Sequence, residues 1–273
     1  MRDSEPKLVV FTDLDGTLLD RETYSCEKAL PTVNYLRQEG VPIVFCSAKT
    51  RAEQEVYRQK LGITDPFIVE NGGAIFINQG YFPFSFDCHK IEDGYQVIEL
   101  GMPYYEIRQI LEQLSIAIRV NIRGFGDMSA EEVATEAGLN LEAAWRAKQR
   151  EYDETLVLEG TPQEICRILK AIAAAGLNYA SGGRYYDIIG PNDKGKATGI
   201  LIDLFRRKFG QVKSIAIGDS PNDLPMLLAV EVPFLVQQPG NIWEKMDLPN
   251  LYRVNGVGPE GWTKAIKEIR GII

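Results

Sequence analysis

A chain of 273 residues, 45% apolar and 25% charged, has the composition of a soluble globular protein, long enough for one large α/β domain or for a core carrying an insertion. Its net charge of −8 argues against a nucleic-acid or anionic-membrane partner, so an anionic substrate has to be drawn in by a local positive site or a metal. With a single histidine, His89 in "FDCHK", a His pair, a zinc cluster or a Ser-His-Asp triad has little to work with, and His89 itself reads as a surface or linker residue.

The opening "MRDSEPK" lacks the apolar core of a signal peptide, and the longest apolar runs are far too short to span a membrane. Cys26, Cys46, Cys88 and Cys166 show no CxxC spacing, and reduced thiols in a cytoplasmic protein are expected. "KLVVF" is a short β-branched run, the pattern of a strand buried on both faces of a parallel sheet. "EKALPTVNYLRQEG" predicts a helix closed by Gly40, "VPIVFCS" a second buried strand, and "KTRAEQEVYRQKLG" a helix closed by Gly62. "PFIVE", the turn "NGG" and "AIFI" follow as strand, turn and strand.

The middle reads differently. "MPYYEIRQILEQLSIAI" is helical, and two capping boxes, Ser129 with Glu132 and Thr161 with Glu164, open further helices. The strand-like pieces "YQVIELG", "ETLVLEG" and "RYYDIIG" lie among them. Near the end the βα rhythm returns with "KGKATGILIDLFRRKFG", "SIAIGD", "NDLPMLLAV" and "VPFLV". The expected architecture is a doubly wound, Rossmann-like parallel-sheet core, residues 1–83 and 189–273, with an α+β cap inserted over 84–188.

In such sheets the functional crevice lies beyond the carboxyl ends of the strands. There the sequence sets Asp13 and Asp15 after the first strand, Ser47, Lys49 and Thr50 after the second, Lys194 at the start of a helix, and Asp219, Asn222 and Asp223 in "GDSPND". Each piece alone passes for a turn or a cap; the ordered combination suits phosphoryl transfer. Several carboxylates around one point form a hard, oxygen-rich site of the kind that suits Mg²⁺. Asp13 is then the nucleophile and Asp15 the acid and base at the leaving oxygen and at water. Lys194 offsets charge on the phosphoryl oxygens, and the Ser47 hydroxyl orients them.

"DLDGT", "FCSAK", "DKGKA" and "GDSPND" resemble, in order and spacing, the four motifs of the haloacid dehalogenase superfamily, in the branch with a large cap between the second and third. The resemblance implies Mg²⁺ held by Asp13, the Asp15 carbonyl and Asp219, with Asn222 and Asp223 near the metal. The second motif departs from the family in having Ala48 after Ser47, which leaves Thr50 as a rival for the hydroxyl role. A closer likeness, in "SAKTRAE", "PFIVENGGAIF", "REYDETL", "SGGRYYDIIG" and "GPEGW", is to the mannosyl-3-phosphoglycerate phosphatases. It implies hydrolysis of a phosphorylated sugar-glycerate to mannosylglycerate, a compatible solute, and phosphate. Glucosyl-3-phosphoglycerate is the nearest alternative substrate, and a phosphomutase on the same scaffold is the alternative reaction. Discrimination then rests on the cap, where Arg184 offers a fork for the glycerate carboxylate, and on Lys49, Thr50 and Arg51 beside the core. The sequence leaves the oligomeric state open.

Overall fold

The computed structural model describes residues 5–182 and 184–272; the first residues of "MRDSEPK" and Gly183 of "SGGRYY" lie outside them. The chain begins with β1 (Lys7–Thr12), α1 (Leu30–Gln38), β2 (Ile43–Cys46), α2 (Arg51–Leu61), β3 (Phe67–Val69), β4 (Ala74–Asn78), β5 (Lys90–Glu92) and β6 (Tyr95–Glu99). Next come α3 (Tyr104–Ile118), α4 (Ala130–Ala137), α5 (Leu141–Ala147), β7 (Asp153–Leu156), α6 (Pro162–Ala174), β8 (Asn178–Ser181) and β9 (Tyr186–Ile189). It closes with α7 (Lys194–Phe209), β10 (Val212–Gly218), α8 (Leu224–Ala229), β11 (Val232–Gln237), β12 (Tyr252–Val257) and α9 (Pro259–Ile272).

Nine strands form one sheet in the order β12-β11-β10-β1-β2-β3-β4-β6-β5. From β12 to β3 neighbouring strands are parallel, and β4, β6 and β5 continue antiparallel. The buried runs seen in the sequence are two-sided: Val10, Ile43 and Phe45 pack on one face with Trp262, and Val9, Phe11, Val44 and Cys46 pack on the other with Leu201 and Phe205 of α7. Full burial of each large side chain contributes about 1.5–3 kcal/mol. Because β1 pairs with β10 on one side and β2 on the other, the order reverses at β1, and the crevice opens at its carboxyl end.

A separate three-stranded antiparallel sheet, β7-β9-β8, is covered by α3 and α6 through Ile107, Leu111, Ile168 and Ile172. Both expected capping boxes are present, at Ser129 and Thr161. The expected start of the insert at 84 needs correction. "YQVIELG" is β6, which pairs with β4 through Ala74 to Asn78, so the chain leaves the large sheet only after Glu99. Alternating polarity predicts a strand but does not name the sheet it joins; here Val97 is buried in the main core against Phe76.

Candidate active site

Asp13 is delivered by the last step of the β1 ladder, its N–H donating to the Ile217 carbonyl at 3.0 Å. The chain then turns at Gly16, whose φ is +82°, and a Cβ there would stand 2.9 Å from Asp219 Oδ2. Glycine is required for both the left-handed backbone and the close approach. Asp219 follows β10 and is fully buried; its Oδ1 accepts from the Thr17 hydroxyl at 3.1 Å and its Oδ2 from Arg21 Nη1 at 3.0 Å.

Lys194 is the first residue of α7, capped by Asp193, which accepts from Lys196 N–H at 2.8 Å. Its buried ammonium donates to Asp13 Oδ1 and to Asp223 Oδ1, each at 2.7 Å. Asp223 Oδ2 accepts the backbone N–H groups of Asp219 at 2.9 Å and Ser220 at 3.1 Å, so this carboxylate shapes the loop that presents Asp219. Burial works against the ammonium, but Asp13 and Asp223 outweigh it and hold its pKa above that of an ordinary lysine. Burial pushes Asp13 up to about 7 despite the adjacent Lys194, and pushes Asp219 well above the usual carboxylate range.

Oxygen atoms of Asp13, Asp219 and Asp223 lie within 4.8 Å of one another. A hard, all-oxygen donor set of this kind fits Mg²⁺. Two of those buried carboxylates are raised, first by burial and then by the neighbouring carboxylates, and a divalent cation relieves both effects.

At the second strand, Ser47 N–H donates to the Ile68 carbonyl at 3.2 Å, and the Ser47 side chain lines the cavity above Asp13. Lys49 lines it too, but its ammonium is engaged with Asp15 Oδ2 at 3.0 Å and Glu53 Oε1 at 3.3 Å. Lys49 therefore aims the Asp15 carboxylate. The burial that raises the Asp15 carboxyl is local: Oδ1 is enclosed without a hydrogen-bond partner among the described residues, while the side chain as a whole is 41% exposed. Thr50 needs correction. Its hydroxyl caps α2 by accepting from Glu53 N–H and donates to the Arg146 carbonyl at 2.9 Å, and it is absent from the cavity wall. Thr50 directly precedes the first residue of α2, where threonine is a preferred cap.

The cavity, about 390 Å³, lies between Asp13 and the inserted unit. Arg184 lines it as expected, though its side chain is 60% exposed and bonds the Glu136 carbonyl. Asn222 also lines it; its amide donates to Asn71 Oδ1 at 3.1 Å. His89 is on the surface, accepting from Glu99 N–H at Nδ1. Arg51 is turned away into a larger groove of about 890 Å³ along α2, where it pairs with Asp93 and Glu151. That groove contains neither the nucleophile nor the carboxylate cluster.

Sequence reasoning missed four residues that the structure places here. Arg21 joins Asp219 to the Gly182 carbonyl of the insert, at 3.0 and 2.7 Å. Glu70 is buried and accepts the consecutive backbone N–H groups of Glu151, Tyr152 and Asp153, at 2.6–3.1 Å. Asn71, in a left-handed conformation, donates to Asp187 at 3.1 Å, and Arg150 donates to the Ala48 carbonyl at 3.2 Å. The signal for two of them was available: "ENGG" puts a carboxylate and an amide on a turn directly after a buried strand.

The family model for haloacid dehalogenase-like hydrolases matches residues 10–239, which contain every one of these core residues. The chain belongs to that family. It is 46% identical over 267 residues to a glucosyl-3-phosphoglycerate/mannosyl-3-phosphoglycerate phosphatase of Methanococcoides burtonii, covering 97% of this chain and 98% of the relative. To a mannosyl-3-phosphoglycerate phosphatase of Pyrococcus furiosus it is 42% identical over 231 residues, covering 84% and 90%. Among solved structures, a Thermoplasma acidophilum protein superposes with a TM-score of 0.69 at 16% identity, over 97% of this chain and 99% of that one, which speaks for the fold. Within this haloacid dehalogenase-like hydrolase, the two motif aspartates of "DLDGT" have separate partners: Asp13 has Lys194 and Asp15 has Lys49.

Proposed function

We propose that the protein is a phosphatase that cleaves the phosphomonoester of mannosyl-3-phosphoglycerate or glucosyl-3-phosphoglycerate through a phospho-Asp13 intermediate. The observation that carries it is Asp13, held at 2.7 Å from Lys194 at the floor of a cavity that the inserted unit roofs. The two relatives, alike over most of their lengths, support the substrate. Mg²⁺ fits the oxygen cluster, with Asp13 and Asp219 as holders and Asp223 and Asn222 behind them; when bound, it offsets the charge of carboxylate and phosphate in the same site.

Asp13 attacks phosphorus, the ester oxygen departs with the proton of Asp15, and Asp15 then takes a proton from the water that opens the acyl phosphate. Lys49 keeps Asp15 aimed at that oxygen, and Lys194 neutralises the Asp13 side of the site. Ser47 orients the phosphoryl oxygens, and Arg184 stands at the rim of the cavity as a positive group for the incoming anion. The reading places the enzyme in the cytoplasm, in keeping with four unpaired thiols. Among the described residues no helix is long and apolar enough to cross a membrane.

The test is phosphate release, with Mg²⁺ and with EDTA, from mannosyl- and glucosyl-3-phosphoglycerate, 3-phosphoglycerate and hexose phosphates. A metal-dependent preference of several hundredfold in kcat/KM for a glycosyl compound, about 3–4 kcal/mol of transition-state discrimination, is expected. Equal, weak turnover of all of them would sink the substrate assignment.

A further inference from the structure

The phosphate occupies only the floor of the cavity, so the remainder of the substrate has to be read by whatever faces it from the insert. Three polar side chains do so from within the protein rather than from its surface. The Arg150 side chain is 7% exposed, and Thr155 and Asp187 are 3% and 7% exposed; all three line the cavity. A buried polar side chain on a cavity wall is costly without a partner, and each of these is held in one orientation. Asp187 accepts from the Thr155 hydroxyl at 2.8 Å and from the Asn71 amide at 3.1 Å, which fixes its carboxylate plane across the junction between core and insert.

Arg150 is fixed in the same manner. Its Nε donates to the Ala147 carbonyl at 3.2 Å, and its Nη1 to the Ala48 carbonyl and to Asp153. Its hydrogen bonds run through Nε and Nη1. The Ala48 contact sets the guanidinium beside the loop that carries Ser47, one residue from the expected phosphate position. Arg184 contrasts with it: it is 60% exposed and bonded to Glu136, so its charge is screened by solvent.

We propose that Arg150, Thr155 and Asp187 form the specificity subsite, in which Arg150 binds the carboxylate of the substrate and the Asp187–Thr155 pair binds hydroxyls of the glycosyl group. This rests on the substrate class assigned above. A guanidinium edge matches a carboxylate, and a pre-oriented carboxylate accepts from sugar hydroxyls. Both segments, "REYDETL" and "RYYDIIG", meet here, joined by the pairing of Thr155 with Asp187 in the β7–β9 ladder.

The experiment compares wild type, Arg150→Lys and Thr155→Val on a glycosyl-3-phosphoglycerate and on p-nitrophenyl phosphate, which has neither carboxylate nor sugar. For the glycosyl substrate, kcat/KM is expected to fall about 100-fold in Arg150→Lys and about 10-fold in Thr155→Val, mainly through KM. Turnover of p-nitrophenyl phosphate should fall by much less than that of the glycosyl substrate in both variants. Equal losses on both substrates would show that these side chains only hold the fold; no loss on either would show that the substrate lies elsewhere. Both results overturn the subsite and leave the substrate class standing, provided wild type prefers the glycosyl compound. A wild type without that preference overturns the substrate class and the subsite together.

Discussion

Lys194 bonds Asp13 and Asp223 at the same 2.7 Å, so one ammonium serves Asp13 and the carboxylate that shapes the Asp219 loop. Replacing Asp13 by Asn keeps the shape and removes the attacking oxygen. Phosphate release should fall by at least about 10⁴-fold while the melting temperature stays near wild type. Gly16→Ala is expected to act differently: a methyl 2.9 Å from Asp219 in a left-handed turn should cost about 1–2 kcal/mol of stability and displace a metal-cluster carboxylate, read as lost activity plus a lowered Tm. Glu53 gives a pH signature. Burial pushes its carboxyl up, but Lys49, Arg150 and the Thr50 N–H outweigh that and hold it below its ordinary 4.5. Its contribution to stability is therefore present above that value and lost as pH falls through the lower, folded one. Glu53→Gln should flatten the acid side of a Tm-against-pH curve while lowering Tm at neutral pH.

Among the elements, the turn between β3 and β4 joins core and insert. Glu70 and Asn71 both take positive φ, and Gly72 after them lies so close to the Asp193 carbonyl that a Cβ would stand 2.2 Å from it. This single turn thus holds the β7 entry, through Glu70, and abuts the start of α7, which carries Lys194. Glu70→Gln places an NH₂ among three backbone donors and should cost about 1–3 kcal/mol in chemical denaturation. The individual elements were legible because buried parallel strands and capped helices leave short-range patterns: "KLVVF" is β1, and Thr161 with Glu164 opens α6. What joins them was not. β6 belongs to the large sheet because Val97 packs on Phe76, a contact that spacing does not encode. Thr50 with Glu53 has the same capping-box spacing as Ser129 and Thr161, so its place at the start of α2 was legible.

At the scale of the whole molecule, the switch point at β1 places Asp13, and the insert closes over it. Because Asp13, Asp15, Ser47 and Asp219 follow strand ends and Lys194 opens α7, their position around one crevice was legible in chain order. Arg21 and Arg150 were not legible, since their roles arise where the insert touches the core, through Gly182 and Ala48; for Glu70 and Asn71, "ENGG" showed the turn but not its partners, the β7 entry and Asp187. The thiols divide along the same inside-to-outside line. Cys46 is fully buried, and burial pushes it up to about 12, whereas Cys166 is exposed on α6. Iodoacetamide should label Cys166 in the native enzyme, leave Cys46 unmodified, and leave phosphate release unchanged. The most direct measurement mixes the Asp15→Asn variant with p-nitrophenyl phosphate, whose leaving group departs without a proton, quenches in acid and maps phosphorylated peptides by mass spectrometry. With the second half-reaction slowed, a phosphoryl group should accumulate on the peptide carrying Asp13; phosphate released in a single turnover with that peptide never modified would contradict covalent catalysis by Asp13.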